Sequence, residues 1–444
     1  MNPLIIAVVL MLGLAVARVH VVVSLMLGAL AGGLLSGMEL GATIKAFELG
    51  LSGGASIALS YILLGAFAAA IVHSGLPDAV AQRAVAYTHA KAQTARYIKW
   101  GIIGAIVLMS VMSQNLVPIH IAFIPMLIPP LLPLFDRLQV DRRLLACAMT
   151  FGLVTTYMFL PYGFGEQFLR KILLFNITQS GLDVADYSNV VIMKAMLIPA
   201  LGMLAGLIFA ALVSYRKPRF YREISNKQAL ADTSDTPLVS LYRSAVAVIA
   251  IIVSFLVQIG AGSLMAGALV GFAIFVVSGV VHWKDSDRVF NRGLRMMAMI
   301  GFIMIAAQGF AEVVRASGQI QPLVDSSVAL FGGSKALAAL AMLVVGLLIT
   351  MGIGSSFSTL PIIAAVYVPL CMQLGFSPLA TIALIGSAGA LGDSGSPASD
   401  STLGPTMGLN IDGQHDHIRD TVIPTFLHFN LPLLAAGWIA ALVL

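Results

Sequence analysis

The sequence predicts an all-α polytopic membrane protein built as two inverted repeats, each with a re-entrant hairpin and a discontinuous helix. Three observations predict it: too little charge to cover a water-facing surface, apolar runs of membrane-spanning length, and self-similarity between the halves. Of the 444 residues, 59% are hydrophobic and 10% charged, with a mean hydropathy of +0.96. A soluble domain carries about 25% charged residues, so most of this chain must face lipid or protein. The charge excess of +5 sits in short loops between apolar runs and forms no basic stripe, so no nucleic-acid partner is expected. Cys147 and Cys371 lie far apart in apolar segments and read as packing residues, with no disulfide framework or metal motif. The chain opens Met1-Asn2-Pro3 and goes straight into an apolar run without a basic n-region, which reads as a first span and not a cleaved signal.

Taken in order, apolar segments fall at about 3–17, 19–37, 56–74, 97–113, 118–135, 143–160 and 190–214. A polar stretch, 215–242, holds Arg216, Lys217, Arg219, Arg222 and Lys227 and is the one linker. The second set lies at about 243–260, 263–281, 296–315, 336–353, 359–374, 378–391 and 421–443. The chain thus divides into a first repeat (1–214), a cytoplasmic linker (215–242) and a second repeat (243–444). Barrel strands would alternate in hydrophobicity over about ten residues; these runs do not, so helix is expected. Pairs 97–113/118–135 and 336–353/359–374 are joined by uncharged polar turns, Ser113-Gln114-Asn115-Leu116-Val117-Pro118 and Ser355-Ser356-Phe357-Ser358-Thr359-Leu360-Pro361. A turn in bulk water would carry charge, so each pair reads as a hairpin whose tip stops inside the membrane.

With each hairpin counted as no net crossing, the chain makes about ten crossings plus two hairpins. Arg18, the 83–99 cluster, Arg142 and Arg143, the linker and the basic residues of 284–295 then share one side. That side is expected to be the cytoplasm of a bacterial inner membrane, with both termini outside. The acidic loop 410–420 (Asp412, Asp416, Asp420) falls on the same side against the trend, and acidic residues weigh little in the rule.

Residues 24–33 read SLMLGALAGG and 263–272 read SLMAGALVGF. Phe67-Ala68 … Ser74-Gly75 returns as Phe310-Ala311 … Ser317-Gly318, an offset of 243, and the hairpin tips keep that offset, Ser113 … Pro118 against Ser356 … Pro361. An odd number of crossings per half turns the second half upside down. Inverted repeats mark alternating-access transporters, whose site lies near mid-membrane on discontinuous helices.

Each half has a second break. The first is Leu160-Pro161-Tyr162-Gly163-Phe164-Gly165-Glu166; the second runs from Gly389 through Gly392-Asp393-Ser394-Gly395-Ser396-Pro397-Ala398-Ser399-Asp400 to Thr402. Glycine and proline cannot keep a helix regular there. A carboxylate inside the membrane is costly unless it meets a cation or a donor. Asp393 and Asp400 are therefore the candidates to bind Na⁺ or carry a proton; the alternative is that one merely caps the half-helix that follows. Gly392-Asp393-Ser394-Gly395-Ser396-Pro397 is also close to a serine-protease GDSGGP pattern, but that chemistry needs a distant His and Asp held by a rigid β fold that this chain does not promise. No enzyme activity is expected.

The second break resembles the GD-x-x-SP-x-SD-T signature of the NhaC-type Na⁺/H⁺ antiporter family, part of the wider ion-transporter superfamily of elevator-like carriers. The match covers Gly392-Asp393, Ser396-Pro397 and Ser399-Asp400, and departs at Ser401, where the family more often has Thr. In that superfamily hairpin tips bind cations and substrate. The resemblance therefore points to Ser113, Gln114, Asn115, Ser355, Ser356, Ser358 and Thr359 beside Asp393, Ser396, Ser399 and Asp400. It also implies a homodimer, as elevator-like carriers often are. The family includes cation antiporters and amino-acid-permease-like members.

His120 follows the first tip and either faces the site or bonds a carbonyl; Glu166 is either a third carboxylate or a cap. Gln308 and Glu312, one turn apart, either line the cavity or, for Glu312, pair with Arg315. Lys194, His428 and Asn430 either line the interior or snorkel. Two functions remain open. One is Na⁺- or H⁺-driven transport of a small organic solute such as an amino acid or carboxylate. The other is Na⁺/H⁺ exchange alone. The many neutral hydroxyls and amides, with Asn115, His120 and Tyr162 suited to an organic ligand, lean toward the first. No cofactor is expected beyond Na⁺ or H⁺ as coupling ion, and the expected partners are a small solute and the bilayer.

Overall fold

The computed structural model describes residues 2–17, 19–76, 79, 95–115, 124, 128–221, 240–331, 333–353, 356–397 and 399–444. Among them the regular structure is all helical, without a strand. His120 and Ser355, both predicted site residues, lie outside the described residues, as do Arg18 and most of the linker and of the second leg of the first hairpin.

In chain order, α1 (Pro3–Val16), α2 (Val21–Leu35) and α3 (Leu40–His73) lead to α4 (Ala95–Asn115), which covers the expected first leg of the first hairpin. After a short helix, Leu132–Arg137, come α5 (Arg142–Phe159), α6 (Phe164–Gln179) and α7 (Asn189–Ser214). The second half runs α8 (Leu241–Ala261), α9 (Leu264–Val277), α10 (Ser286–Ala316), α11 (Ile320–Phe331), α12 (Lys335–Ile353) and α13 (Ser356–Leu374). It ends with α14 (Pro378–Ala390), α15 (Asp400–Leu409) and α16 (His417–Val443). Five described helices are long and apolar enough to cross a bilayer, six if the bent pair α5–α6 counts as one span.

Two helices exceed their predicted spans. Expected at 56–74, α3 has 34 residues and begins at Leu40; α10, expected at 296–315, has 31 and begins at Ser286. At 1.5 Å per residue each is roughly 45–50 Å long. Polar residues such as Lys45 and Glu48 hid the extra turns from a hydropathy reading, but nothing there breaks a helix. The two run antiparallel along a seam of small residues. A Cβ on Gly293 would stand 2.1 Å from the Gly65 carbonyl oxygen, and one on Gly50 would stand 2.5 Å from that of Gln308. Only glycine lets the backbones approach so closely. The seam is reciprocal under the 243-residue offset: Gly50 meets Gln308 as Gly65 meets Gly293, while Gly301 meets its own equivalent, Ala58. Gly28 against Phe310 and Gly271 against Phe67 repeat the pattern. The capping residues of α2 and α9, His20 and Ser263, keep the same offset, so the ten-residue match at 24–33 and 263–272 is one helical turn out of the packing register.

α11 was not anticipated, because its Gln321 and Asp325 interrupt the apolar pattern. The acidic loop after α15 is explained by pairing. Arg142, fully buried, holds Asp412 through two 2.7 Å bonds and Asp136 at 3.1 Å, and Arg219 holds Asp420 at 2.8 Å. Those acids lie beside basic residues of the same face because they neutralise them.

Candidate ion and substrate site

Both predicted breaks are present. In the first, α5 ends at Leu160, and Gly163 takes φ 63° before α6 leaves at 54° to α5. A Cβ at Gly163 would lie 1.9 Å from the Asn115 carbonyl oxygen, so both the left-handed conformation and the space require glycine. The Asn115 side chain accepts the Gly165 N–H at 3.0 Å. The end of α4 is thereby clamped to the first break.

In the second break, Gly392 takes φ 89° and packs on the last turn of α12, where a Cβ would meet the Met351 nitrogen at 2.9 Å. Asn430, fully buried in α16, accepts from the Gly392 N–H at 3.3 Å and the Ser394 hydroxyl at 2.6 Å. The Ser396 hydroxyl donates to the Met351 carbonyl at 3.2 Å. Thr402 closes the turn by donating to the carbonyls of Ser396 and Ser399 at 2.6 and 2.9 Å. The hydroxyls of Ser394, Ser396 and Thr402 therefore each hold the broken stretch in place, which helps it leave the helix without orphaning its backbone.

These ties bring Asp393 to the centre. It is 6% exposed. Its Oδ2 accepts from the Tyr157 hydroxyl at 2.5 Å, and its Oδ1 accepts from the Ser399 hydroxyl. The Tyr157 hydroxyl also lies 2.8 Å from the Ser356 hydroxyl. One carboxylate thus gathers groups from α5, from the start of α13 and from the second break. Ser399, not either aspartate, is the N-cap of α15: its Oγ accepts the Ser401 N–H at 3.1 Å. Asp400 sits in the first turn with no hydrogen bond among the described residues, close enough to Asp393 for direct charge repulsion.

An aromatic wall surrounds the cluster. Phe357 packs on Tyr157, Phe164 and Phe168 with centroids 5.2, 4.8 and 5.3 Å away, and Tyr61 stacks edge-on against Phe164 at 5.3 Å. The hydroxyls of Tyr61 and Ser358 are buried without a hydrogen-bond partner among the described residues. Thr359 is buried beside them in the chain.

Not every predicted residue joins this cluster. Ser113 donates back to the Ser110 carbonyl at 3.1 Å, and the Gln114 side-chain oxygen is buried without a donor among the described residues. Tyr162 is 47% exposed, outside the wall. Glu312 pairs with Arg315 at 3.1 Å. His428 bonds the Pro424 carbonyl and Ser214 at 2.7 and 2.8 Å and ties α16 to α7. Tyr157 and Tyr61 were missed. For Tyr157 the available signal was a tyrosine within an apolar run four residues before Pro161, since a buried tyrosine hydroxyl usually finds a partner; nothing comparable marks Tyr61.

Residues 148–438 match the Na⁺/H⁺ antiporter family, and residues 2–87 match a second description of a Na⁺-H⁺ antiporter family. A Vibrio parahaemolyticus protein described as an uncharacterized membrane protein is 54% identical, with 100% of both chains covered. A Bacillus subtilis protein with the provisional name amino acid transporter YuiF is 50% identical, again with 100% of both covered. Among solved structures, that of Neisseria gonorrhoeae MtrF, described as illuminating a class of antimetabolite efflux pumps, aligns with a TM-score of 0.58 at 17% identity, covering 90% of this chain and 84% of that one. The last likeness is one of fold.

Proposed function

The chain belongs to the Na⁺/H⁺ antiporter family, and from that premise we propose that it is a cation-coupled secondary transporter of a small organic solute, such as an amino acid. The observation that carries the reading is the hydroxyl-ringed Asp393 carboxylate at the meeting of three interrupted elements. Hydroxyls are both donors and acceptors. Tyr157 and Ser399 give their protons to the bare carboxylate; when a cation arrives the same oxygens turn lone pairs toward it. A proton on Asp393 competes with that cation for one charge. Because the ligands come from different elements, loading changes which elements are held together. That is what alternating access requires of a coupling site.

Further features support the reading without deciding the solute. The unpartnered hydroxyls of Tyr61 and Ser358 offer neutral contacts that an ion alone does not need. The provisional name of the Bacillus relative points the same way. The reciprocal α3–α10 seam supports two inverted repeats moving against each other, elevator-like, around the breaks. In this reading the Arg142–Asp412 face is cytoplasmic, both termini lie outside an inner membrane, and two copies pair.

A second reading, Na⁺/H⁺ exchange without organic cargo, is favoured by Asp400, an unpartnered carboxylate beside Asp393. Proteoliposome uptake of labelled amino acids and carboxylates, with and without a Na⁺ gradient, separates the two. Solute accumulation driven by the cation gradient is expected, and Asp393→Asn abolishes the coupling. Failure of every organic solute with Na⁺-dependent proton release intact would leave the second reading. Coupling unchanged in Asp393→Asn would remove the carboxylate from the site.

A further inference from the structure

On the face opposite Arg142 lies a cavity of about 800 Å³, within the range of small-ligand sites. One wall is a serine stripe on α3, Ser52, Ser56 and Ser60, spaced one turn apart; the other is α6, with Gln167, Arg170 and Lys171; the α8–α9 turn closes the third side. Among the described residues its lining holds two cations and no carboxylate, and the half-buried Glu166, outside the lining, lies within charge range of both Lys171 and Arg170. The Arg170 side chain is anchored, donating to Asn189 at 2.7 Å and the Tyr187 carbonyl at 2.9 Å. Lys171 is exposed and makes no hydrogen bond or ion pair among the described residues.

The cavity leads to the buried site. Ser60 lines it, and the next residue, Tyr61, packs on Phe164 and Phe357. Gln167 lines it, and the next residue, Phe168, packs on Tyr157 at 4.8 Å. The cavity and the aromatic wall around Asp393 thus share two helices, α3 and α6, and lie one residue apart along each.

We infer that this cavity is a vestibule that collects the transported solute by its carboxylate group, held by Lys171 and Arg170 with serine hydroxyls as neutral contacts, before the solute passes the aromatic wall. Two cations against the one carboxylate of Glu166 leave the cleft net positive, and a net positive cleft with low-dielectric walls concentrates anions; an ammonium–carboxylate pair is a strong, charge-assisted contact. The positive lining also separates tasks: it repels the coupling cation from the place where the solute waits, while Asp393 attracts it deeper in. The inference rests on the organic-solute reading above.

The full chain carrying Ser56→Cys tests it, since Cys147 and Cys371 are fully buried and leave the new thiol as the accessible one. In detergent at low salt, an anionic methanethiosulfonate should modify this thiol about fivefold or more faster than a cationic one, relative to their rates on free cysteine, as expected of a focused field. Adding Lys171→Glu should erase or reverse the ratio, and Lys171→Arg should keep it. L-alanine and L-lactate should slow the modification, whereas alaninamide, lactamide and inorganic phosphate should not. With Lys171→Gln, the KM for a transported carboxylate should rise several-fold with kcat near wild type. Equal rates for the two reagents, protection by the amides as well as the acids, protection by phosphate, or an unchanged KM in a wild type that does transport organic acids would each overturn the inference. If the wild type moves only Na⁺ and protons, the organic-solute reading fails and takes the inference with it; uptake in the unmodified chain tells the two failures apart.

Discussion

Tyr157 does at the residue scale what the signature aspartate needs done. A buried carboxylate without a donor bears its full desolvation cost, and a hydrogen bond to a charged group is worth about 1.5–3 kcal/mol. Tyr157→Phe keeps the ring and its contacts with Phe168 and Phe357 but removes the donor to Asp393. The expected result is a folded transporter whose half-saturating coupling-ion concentration rises about tenfold, the equivalent of about 1.4 kcal/mol. Transport assayed over a range of Na⁺ concentrations and pH measures it, and an unchanged ion dependence would show that the tyrosine serves packing alone. Ser399 has a similar double role: one hydroxyl caps α15 and donates to Asp393, so the helix start and the proposed ion site share an atom.

The turn between α15 and α16 and the first residue of α16 show how a neighbouring element can anchor a break. His417 bonds the Pro397 carbonyl at 2.9 Å and Thr406 at 2.8 Å, while His415 bonds Thr421 at 2.7 Å. Burial lowers the His415 pKa from 6.5 to about 4. Burial also pushes Asp412 upward, but the hydrogen bonds and charge of Arg142 outweigh it and hold its carboxyl below 3.8. The signs therefore agree. A histidine kept neutral in the fold costs nothing above its unfolded pKa of 6.5; as pH falls from 6.5 toward 4 the unfolded chain gains a proton that the folded one refuses, and stability drops by on the order of 3 kcal/mol. The stability from Asp412 is lost only at lower pH, as it falls through the folded value of that carboxyl. Thermal melting of the purified chain should be flat from pH 8 to 6.5 and decline below that. His415→Gln should flatten the decline between 6.5 and 4 and leave the more acidic limb in place; an unaltered profile in that variant would assign the decline to other groups.

For the whole molecule, the seam of α3 against α10 joins the two halves of the chain. A side chain at Gly293 meets backbone, not a movable side-chain end, at 2.1 Å. Gly293→Val should cost about 3 kcal/mol or more through overpacking and lower the melting temperature sharply. Gly13→Val, on α1 with nothing near its Cβ, is the control and should melt near wild type. Equal melting temperatures for the two variants would mean that the halves do not depend on this close approach.

The sequence alone was enough for the membrane class, the two breaks, the signature aspartates and the presence of an internal offset. Those features are written in hydropathy, in Gly and Pro, and in charge that has no business in an apolar run, all of which are local. It could not say that Asp393 is the ringed carboxylate and Asp400 the open one, because that depends on where Tyr157, 236 residues away, delivers its hydroxyl. Nor could it find the full lengths of α3 and α10, since a helix that buries polar turns against a partner looks like a loop to any reading of hydropathy. The acidic loop stood as an exception to the charge rule until Arg142 and Arg219 were placed beside it. Local chemistry determined that the chain breaks and carries charge inside the membrane; only tertiary packing decided which charge is held, by what, and beneath which cavity, because each of those answers is a contact between residues distant in sequence.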